Sequence, residues 1–153
     1  MKQHHYYFVS TWAIPASLEQ CELAVLDIDH WPLWWDGFVA GELTHPKLGI
    51  EGSKVEARWR SLFGYHLRLD ITIDSYLPNK LISFTSSGDL TGQGSWSFER
   101  LNSETTKMVI TWDVATTKVW MNVFGPVLKP FLKLAHRYLM RRSQAGLRHY
   151  LSS

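Results

Sequence analysis

Apolar and polar side chains alternate along two neighbouring stretches of the chain, residues 54–62 and 66–74. The second stretch has its apolar residues at every other position: Leu67, Leu69, Ile71 and Ile73. A period of two places successive side chains on opposite faces of a strand, and burial of one face is typical of an antiparallel sheet. The pattern therefore predicts two paired strands, with Gly64-Tyr65 at the hairpin tip and a covered apolar face.

Further strands and two short helices are predicted around this hairpin. The strands are Tyr6–Ile14, Phe38–Leu43, Leu81–Ser87, Gly94–Leu101 and Met108–Thr116. Ser17 followed three residues later by Gln20 forms a capping-box pattern, which predicts a helix after the first strand. A second short helix begins at Asp29-His30-Trp31-Pro32, because proline is tolerated in a first helical turn.

The last segment, residues 120–151, has a helical period, and Pro126 and Pro130 predict that its main helix begins near Phe131. One side of this helix is apolar: Phe131, Leu132, Ala135, Tyr138, Leu139 and Tyr150. The opposite side carries Lys133, Arg137, Arg141 and Arg148, which we expect to be solvated, with contact to anionic lipid or an acidic partner as the alternative. Residues 1–153 predict a single α+β domain, in which a curved antiparallel sheet of about six or seven strands packs against this helix.

The eight tryptophans of the chain indicate what lies between sheet and helix. Four of them, Trp12, Trp59, Trp96 and Trp112, lie within predicted strands, and Trp31, Trp34 and Trp35 belong to the second short helix. Each indole combines a large apolar surface with one N–H donor. Such rings either fill a core or line an apolar pocket that offers a few hydrogen-bond donors.

The pocket interpretation predicts a cavity of roughly 300–1,000 Å³, the range of drug-sized ligand sites. The candidate ligand-binding residues are those predicted to face it: Trp12, Trp59, Leu69, Ile71, Phe84, Ser86, Trp96, Phe98, Trp112, Phe131, Ala135, His136 and Leu139. His136 is the main polar candidate, because it lies at the edge of the apolar side of the helix. It would hydrogen-bond a ligand oxygen or act as a general acid, or else be a boundary histidine satisfied by backbone or water.

Composition excludes several other classes of protein. A single cysteine, Cys21, permits no internal disulfide framework, and the sequence has no metal-ligand spacing, so no metal or cofactor is expected. A net charge of +2 without a nucleic-acid motif predicts no nucleic-acid partner. The N-terminus has no signal-peptide pattern, and no apolar run reaches the roughly 18 residues of a membrane span. We therefore expect a cytoplasmic protein without stable membrane insertion.

The glycine-rich segment Gly88-Asp89-Leu90-Thr91-Gly92-Gln93-Gly94 superficially resembles a phosphate-binding loop. A phosphate loop needs a helix N-terminus after it, and here a strand follows. The segment is therefore predicted to be a hairpin turn with bulges, where glycine supplies positive φ.

The order of elements and several motifs resemble the START-like, or SRPBCC, superfamily of helix-grip proteins, which includes polyketide cyclases/dehydrases and pollen-allergen-like proteins. The segments that carry the resemblance are Ser10–Ala16, His30–Trp35, Gly88–Trp96, Thr111–Val114, Thr117–Trp120, and His136 with Met140 and Gly146-Leu147. The resemblance implies that the C-terminal helix closes an apolar cavity. It covers nearly the whole chain and does not specify an activity, since this fold has many functions.

Three functions are compatible with these features. The first is binding of an apolar or aromatic small molecule, such as a lipid or a polyketide-like compound. The second is a cyclase or dehydratase that uses the same cavity. The sequence offers no inward carboxylate to form an acid–base pair, so no catalytic residue is assigned. The third is an interaction domain with a vestigial cavity.

Overall fold

The computed structural model describes residues 5–43, 51–60, 66–116 and 125–152. Their strands are β1 (His5–Ile14), β2 (Phe38–Leu43), β3 (Lys54–Arg60), β4 (His66–Leu77), β5 (Leu81–Gly88), β6 (Leu90–Asn102) and β7 (Thr105–Thr116). The helices are α1 (Leu18–Leu26), a 3₁₀ helix (Ile28–Leu33) and α2 (Gly125–Ser152). The predicted hairpin tip Gly64-Tyr65 and the predicted extension of β3 to Leu62 lie outside the described residues.

The strands form one curved antiparallel sheet in the order β1-β7-β6-β5-β4-β3-β2. Along β3 the side chains alternate strictly between exposed and buried, and Ala57 is paired with Leu69 of β4. Leu69 is 2% exposed, while Leu67, Ile71 and Ile73 pack partly buried against the same core. The predicted antiparallel sheet with one covered face is therefore confirmed.

The helix α1 begins as the capping-box pattern predicts. The Ser17 side chain accepts a hydrogen bond from the Gln20 N–H at 3.2 Å, and the Ser17 N–H donates to the Gln20 side chain at 3.1 Å. Buried Glu22 joins this helix to the turn between β4 and β5, because its carboxylate accepts hydrogen bonds from the Tyr76 hydroxyl at 2.6 Å and from the Asn79 N–H. Asn79 has a φ of 64°, as a tight turn after Pro78 requires.

The glycine-rich segment differs from its prediction. The turn is short, with Gly88 at φ 97°, and β6 already begins at Leu90 instead of Gly94. Gly94 lies within the strand beneath the Phe84 ring, where a Cβ atom would come 2.4 Å from Phe84 Cζ. Gly94 therefore allows close packing within the strand and does not form a turn. The local sequence pattern does not distinguish these two roles of glycine.

The C-terminal helix also differs from its prediction, because α2 begins at Gly125 and not near Phe131. Pro130 lies inside it, about one turn from its start, where a missing N–H removes a single intrahelical hydrogen bond. The assignment of Phe131 and Tyr138 to the covered side is wrong, since they are 54% and 46% exposed. The side that meets the sheet has instead the buried residues Leu132, Met140, Ser143 and Leu147.

The C-terminal half of α2 is fastened to the rest of the fold. Gly146 passes so close to the 3₁₀ segment that a Cβ atom would lie 2.2 Å from the Trp34 carbonyl oxygen. Ala13 of the edge strand β1 donates its N–H to the Gln144 side chain at 3.1 Å. The Ala13 carbonyl accepts two hydrogen bonds from Arg148, at 3.0 and 2.7 Å. The helix thereby satisfies backbone groups on the free edge of β1.

Candidate ligand-binding site

A cavity of about 150 Å³ lies between the inner face of the sheet and α2. Its walls are almost entirely apolar or aromatic, and its lining residues are Tyr6, Phe8, Trp35, Trp59, Arg60, Leu67, Leu69, Ile71, Phe84, Leu90, Trp96, Ile110, Trp112, Thr116, Leu132, Ala135, His136, Leu139 and Met140. The predicted volume of roughly 300–1,000 Å³ is therefore too large for the space observed. The aromatic rings on the sheet occupy much of the room that the curvature creates.

Most of the residues predicted from the sequence to face a cavity lie on its wall. They are Trp59, Leu69, Ile71, Phe84, Trp96 and Trp112 on the sheet, and Ala135, His136 and Leu139 on α2. The position of the first group follows from alternation along the strands, because inward side chains recur at every second position.

Four predicted residues do not line the cavity. Trp12 packs edge-on against Trp34 and Trp96, with ring centroids 6.5 and 5.7 Å apart, in the solid core beside it. Ser86 is fully buried and donates its hydroxyl hydrogen to the Leu90 carbonyl at 2.7 Å. Phe98 is part of the buried core, and Phe131 faces away from the sheet.

Several lining residues were not predicted as site residues. Tyr6 and Phe8 share the inner face of β1 with Trp12, so the alternation along that strand contained a signal for them. The exposed–buried alternation of β3 puts Arg60, at the end of this strand, on the exposed face. Arg60 nevertheless lines the cavity, which strand alternation alone does not indicate.

The tryptophan run begins in the 3₁₀ helix with Trp31, but Trp34 and Trp35 follow the end of that helix at Leu33, contrary to the prediction. Trp35 contributes one wall of the cavity. Its ring contacts Trp59 and Trp96, each with ring centroids 5.4 Å apart. Trp31 and Trp34 lie behind it and are 6% and 3% exposed, as parts of the core. The run therefore joins the helical segment to the sheet and presents one of its three rings to the cavity.

His136 reaches the cavity from α2. Its imidazole stacks on the Phe8 ring with centroids 3.9 Å apart and lies 6.3 Å from the Trp112 ring. Burial disfavours the charged imidazolium and lowers the pKa of His136 to about 4. At neutral pH the ring is therefore uncharged, with one nitrogen donor and one nitrogen acceptor. Within the described part of the chain, no group hydrogen-bonds to it.

Three indoles of the cavity wall carry unused hydrogen-bond donors. The Nε1 atoms of Trp35, Trp59 and Trp112 are buried and have no hydrogen-bond partner among the described residues. Of the two tryptophans behind the wall, Trp31 donates its Nε1–H to the Val25 carbonyl at 3.1 Å, whereas the Trp34 Nε1 is also buried without a partner among the described residues. A buried donor without a partner costs about 1–3 kcal/mol. The residues of the wall thus combine an apolar surface with three covered indole donors that have no acceptor among the described residues.

The ionisable groups of the described lining are few. They are Tyr6, Arg60 and His136, and no carboxylate is among them. The described residues also contain no cluster of three His, Cys, Asp or Glu side chains suited to a metal ion. Cys21 lies away from the cavity, and burial raises the pKa of its thiol to about 11, which makes it a weak nucleophile at neutral pH.

Comparison with known proteins supports the fold. No protein-family model matches the sequence, and no curated protein matches it. Among solved structures, the chain is similar to the Zhui aromatase/cyclase from Streptomyces sp. R1128, with a TM-score of 0.79 at 14% identity over 97% of this chain and 94% of that one. A START superfamily protein from Mycobacterium smegmatis gives a TM-score of 0.77 at 16% identity, over 97% and 98% of the two chains.

A third similar structure is the di-domain ARO/CYC BexL from the BE-7585A biosynthetic pathway, with a TM-score of 0.74 at 16% identity. The match covers 97% of this chain and 50% of that one, so the chain spans about half the di-domain protein. These likenesses, together with the sheet order and the long closing helix, show that the chain has the START-like, helix-grip fold. The resemblance predicted from the sequence is confirmed at the level of the fold.

Proposed function

We propose that this protein binds an aromatic or otherwise apolar small molecule that carries hydrogen-bond acceptor oxygens, in the cavity between the sheet and α2. The observation that carries the proposal is the set of unpaired indole N–H groups of Trp35, Trp59 and Trp112 in an apolar wall. An acceptor oxygen would remove the free-energy cost of these donors, and the rings would bury the rest of the ligand.

The size of the cavity limits the ligand. An apolar cavity of roughly 150 Å³ accepts a molecule of about the size of benzene, and the cavity here has about that volume. The indole nitrogens are themselves covered, so a ligand oxygen would reach them only after a small rotation of the rings. We infer that one aromatic ring fits the space as it stands, and that a larger ligand requires α2 to move outward.

Apart from Arg60, which is exposed at the end of β3, the described lining holds no charged side chain, and this favours a neutral ligand. His136, uncharged at neutral pH, adds a polar atom beside Phe8 and Trp112, and the described wall holds no carboxylate that would attract a cation. A carbonyl, ether or phenol oxygen has the acceptor character that the indole donors require.

Binding is favoured over the cyclase or dehydratase alternative. Such a reaction needs a positioned acid and base, and a histidine with a pKa of about 4 is a weak base at neutral pH. The vestigial-cavity alternative is disfavoured because a space of about 150 Å³ remains between the aromatic rings. The similar aromatase/cyclase structures share the fold at 14–16% identity. That likeness concerns the fold alone and gives no support to the catalytic alternative.

The proposal is tested with two single-ring probes of similar shape, acetophenone and ethylbenzene, of which acetophenone alone has an acceptor oxygen. Nuclear magnetic resonance of the ¹⁵N-labelled chain follows the indole N–H signals directly. We expect acetophenone to bind about 2- to 10-fold more tightly, the range of one neutral hydrogen bond. It should also shift the signals of one or more of Trp35, Trp59 and Trp112.

Two phenylalanine variants supply the matched comparison. Trp112→Phe keeps a ring on the wall but removes an unpaired donor, and should reduce the preference for acetophenone. Trp31→Phe removes a donor that is already bonded to Val25, away from the cavity, and should leave the preference unchanged. Equal binding of the two probes with unshifted indole signals, or no binding of either, would contradict the proposal.

A further inference from the structure

The helix α2 carries a row of exposed apolar side chains on the side opposite the cavity. Val127, Phe131, Leu134 and Tyr138 are 67%, 54%, 59% and 46% exposed. They recur every three or four residues and therefore share one face of the helix. Leu132, His136 and Leu139, which line the cavity, belong to the other face. The row, called here the outer face of α2, leaves large apolar side chains in water.

The charged side chains of the same helix are all positive. It contains no acidic residue and six lysine or arginine residues, which are Lys129, Lys133, Arg137, Arg141, Arg142 and Arg148. Lys133, Arg137 and Arg141 are exposed and have no acidic partner among the described residues. Arg142 flanks the outer face from the other side, where it pairs with Asp36 at 3.1 Å and lies 5.7 Å from the Tyr138 ring.

We propose that the outer face of α2 docks on the surface of a bilayer that contains anionic lipid. Phenylalanine, leucine and tyrosine flanked by lysine and arginine are the composition of a helix that lies in a membrane interface. Unpaired basic residues beside such a row add attraction to anionic head groups. The docking is peripheral, since no helix of the described residues is long and apolar enough to cross a bilayer.

Charge favours an anionic bilayer over a second copy of the chain as the partner of the outer face. Two outer faces brought together would oppose one uniformly basic helix to another, and like charges across an interface are unfavourable. The proposal does not rest on ligand binding in the cavity. Docking would leave the cavity about one helix diameter, roughly 10 Å, from the membrane surface, because Leu132 and Leu139 line the cavity from the inner side of the same helix.

The test is co-sedimentation of the full chain, without added ligand, with vesicles of two compositions. One is phosphatidylcholine alone, and the other is equal parts of phosphatidylcholine and phosphatidylserine. We expect binding to the second and little to the first. Binding should weaken as salt shortens the Debye length from about 10 Å at 0.1 M to about 3 Å at 1 M.

Four variants separate the outer face from the rest of the surface. Phe131→Ser combined with Leu134→Ser should lower the vesicle partition coefficient about tenfold or more, because it removes two apolar side chains from the contact. Arg137→Glu should lower it at least about fivefold, the effect of one basic charge near the surface. The controls are Leu23→Ser, at a position 67% exposed on α1, and Arg58→Glu, the same charge change on β3.

All of these positions are exposed, so the variants should keep the wild-type melting temperature, measured by circular dichroism. Binding that is equal on the two vesicle types, or absent from both, would overturn the proposal. So would controls that weaken binding as much as the outer-face variants. A dimer seen by analytical ultracentrifugation without vesicles, and dissociated by the Phe131→Ser/Leu134→Ser change, would assign the face to a second copy instead.

Discussion

Replacing His136 by phenylalanine should remove an acid-sensitive part of the folding free energy. Burial lowers the pKa of His136 to about 4, against an ordinary value of 6.5 in the unfolded chain. Between these two pH values the unfolded chain binds a proton that the folded chain does not. The contribution of neutral His136 to the free energy of unfolding is therefore complete above about pH 6.5, and it is lost as the pH decreases to about 4.

The size of this effect follows from the two pKa values. At about 1.4 kcal/mol per pKa unit, the shift corresponds to a loss of about 3 kcal/mol between pH 7 and pH 4. Phenylalanine has no titrating group and can keep the stacking on the Phe8 ring, which lies 3.9 Å from the imidazole in the native chain. The variant should then lose about 3 kcal/mol less than the wild type over the same pH range.

Urea unfolding of both proteins at several pH values measures this difference. The carboxylates of the chain titrate in both proteins, so only the difference between the two curves reports on His136. His30→Gln is the control, because Asp27 at 2.7 Å raises the pKa of exposed His30 and its dependence on pH has the opposite sign. Parallel curves for the wild type and His136→Phe would refute the placement of a neutral histidine in the cavity wall.

Two further changes test the contacts that hold the helices to the sheet. Gly146→Ala should lower the free energy of unfolding by about 1–3 kcal/mol, since its Cβ atom would lie 2.2 Å from the Trp34 carbonyl oxygen; urea unfolding without a loss would contradict that contact. Glu22→Ala should cost about 1–3 kcal/mol by leaving the Tyr76 hydroxyl and the Asn79 N–H without their acceptor. It should also return the pKa of Tyr76 from about 12 toward 10, as ultraviolet titration would detect, because the hydrogen bond to Glu22 is the main cause of that raised pKa.

Local sequence patterns predicted the elements that are determined by residues close together in the sequence. The alternation in β3 and β4 and the Ser17–Gln20 capping box specify strand faces and a helix start within a few residues. The start of α2 was not predictable in this way, because proline usually marks a helix boundary and Pro130 here lies inside the helix. Packing of the helix on the sheet outweighs the one hydrogen bond that this proline removes.

The sequence predicted which side chains of the strands point inward, but not which of them border the cavity. Strand alternation indicates that Trp12, Trp96 and Phe98 all point inward, and all three are buried. Which of them border empty space depends on where the 3₁₀ segment and α2 cover the sheet. Phe131 was misplaced for a related reason, since α2 has apolar residues on two faces and periodicity alone does not select the one that meets the sheet.

The uneven attachment of α2 has a consequence for its motions. Among the described residues, its C-terminal half is held by the Gly146–Trp34 contact and by the bonds of Arg148 to Ala13. Its N-terminal half borders the cavity and meets β1 through Lys129 over the Tyr6 ring and His136 on the Phe8 ring. Because backbone hydrogen bonds and close packing hold the C-terminal half, we expect the N-terminal half of α2 to open more readily, while the core around Trp12 and Trp34 stays closed. Amide hydrogen exchange should then be faster before His136 than after Ser143, in a gradient along one continuous helix.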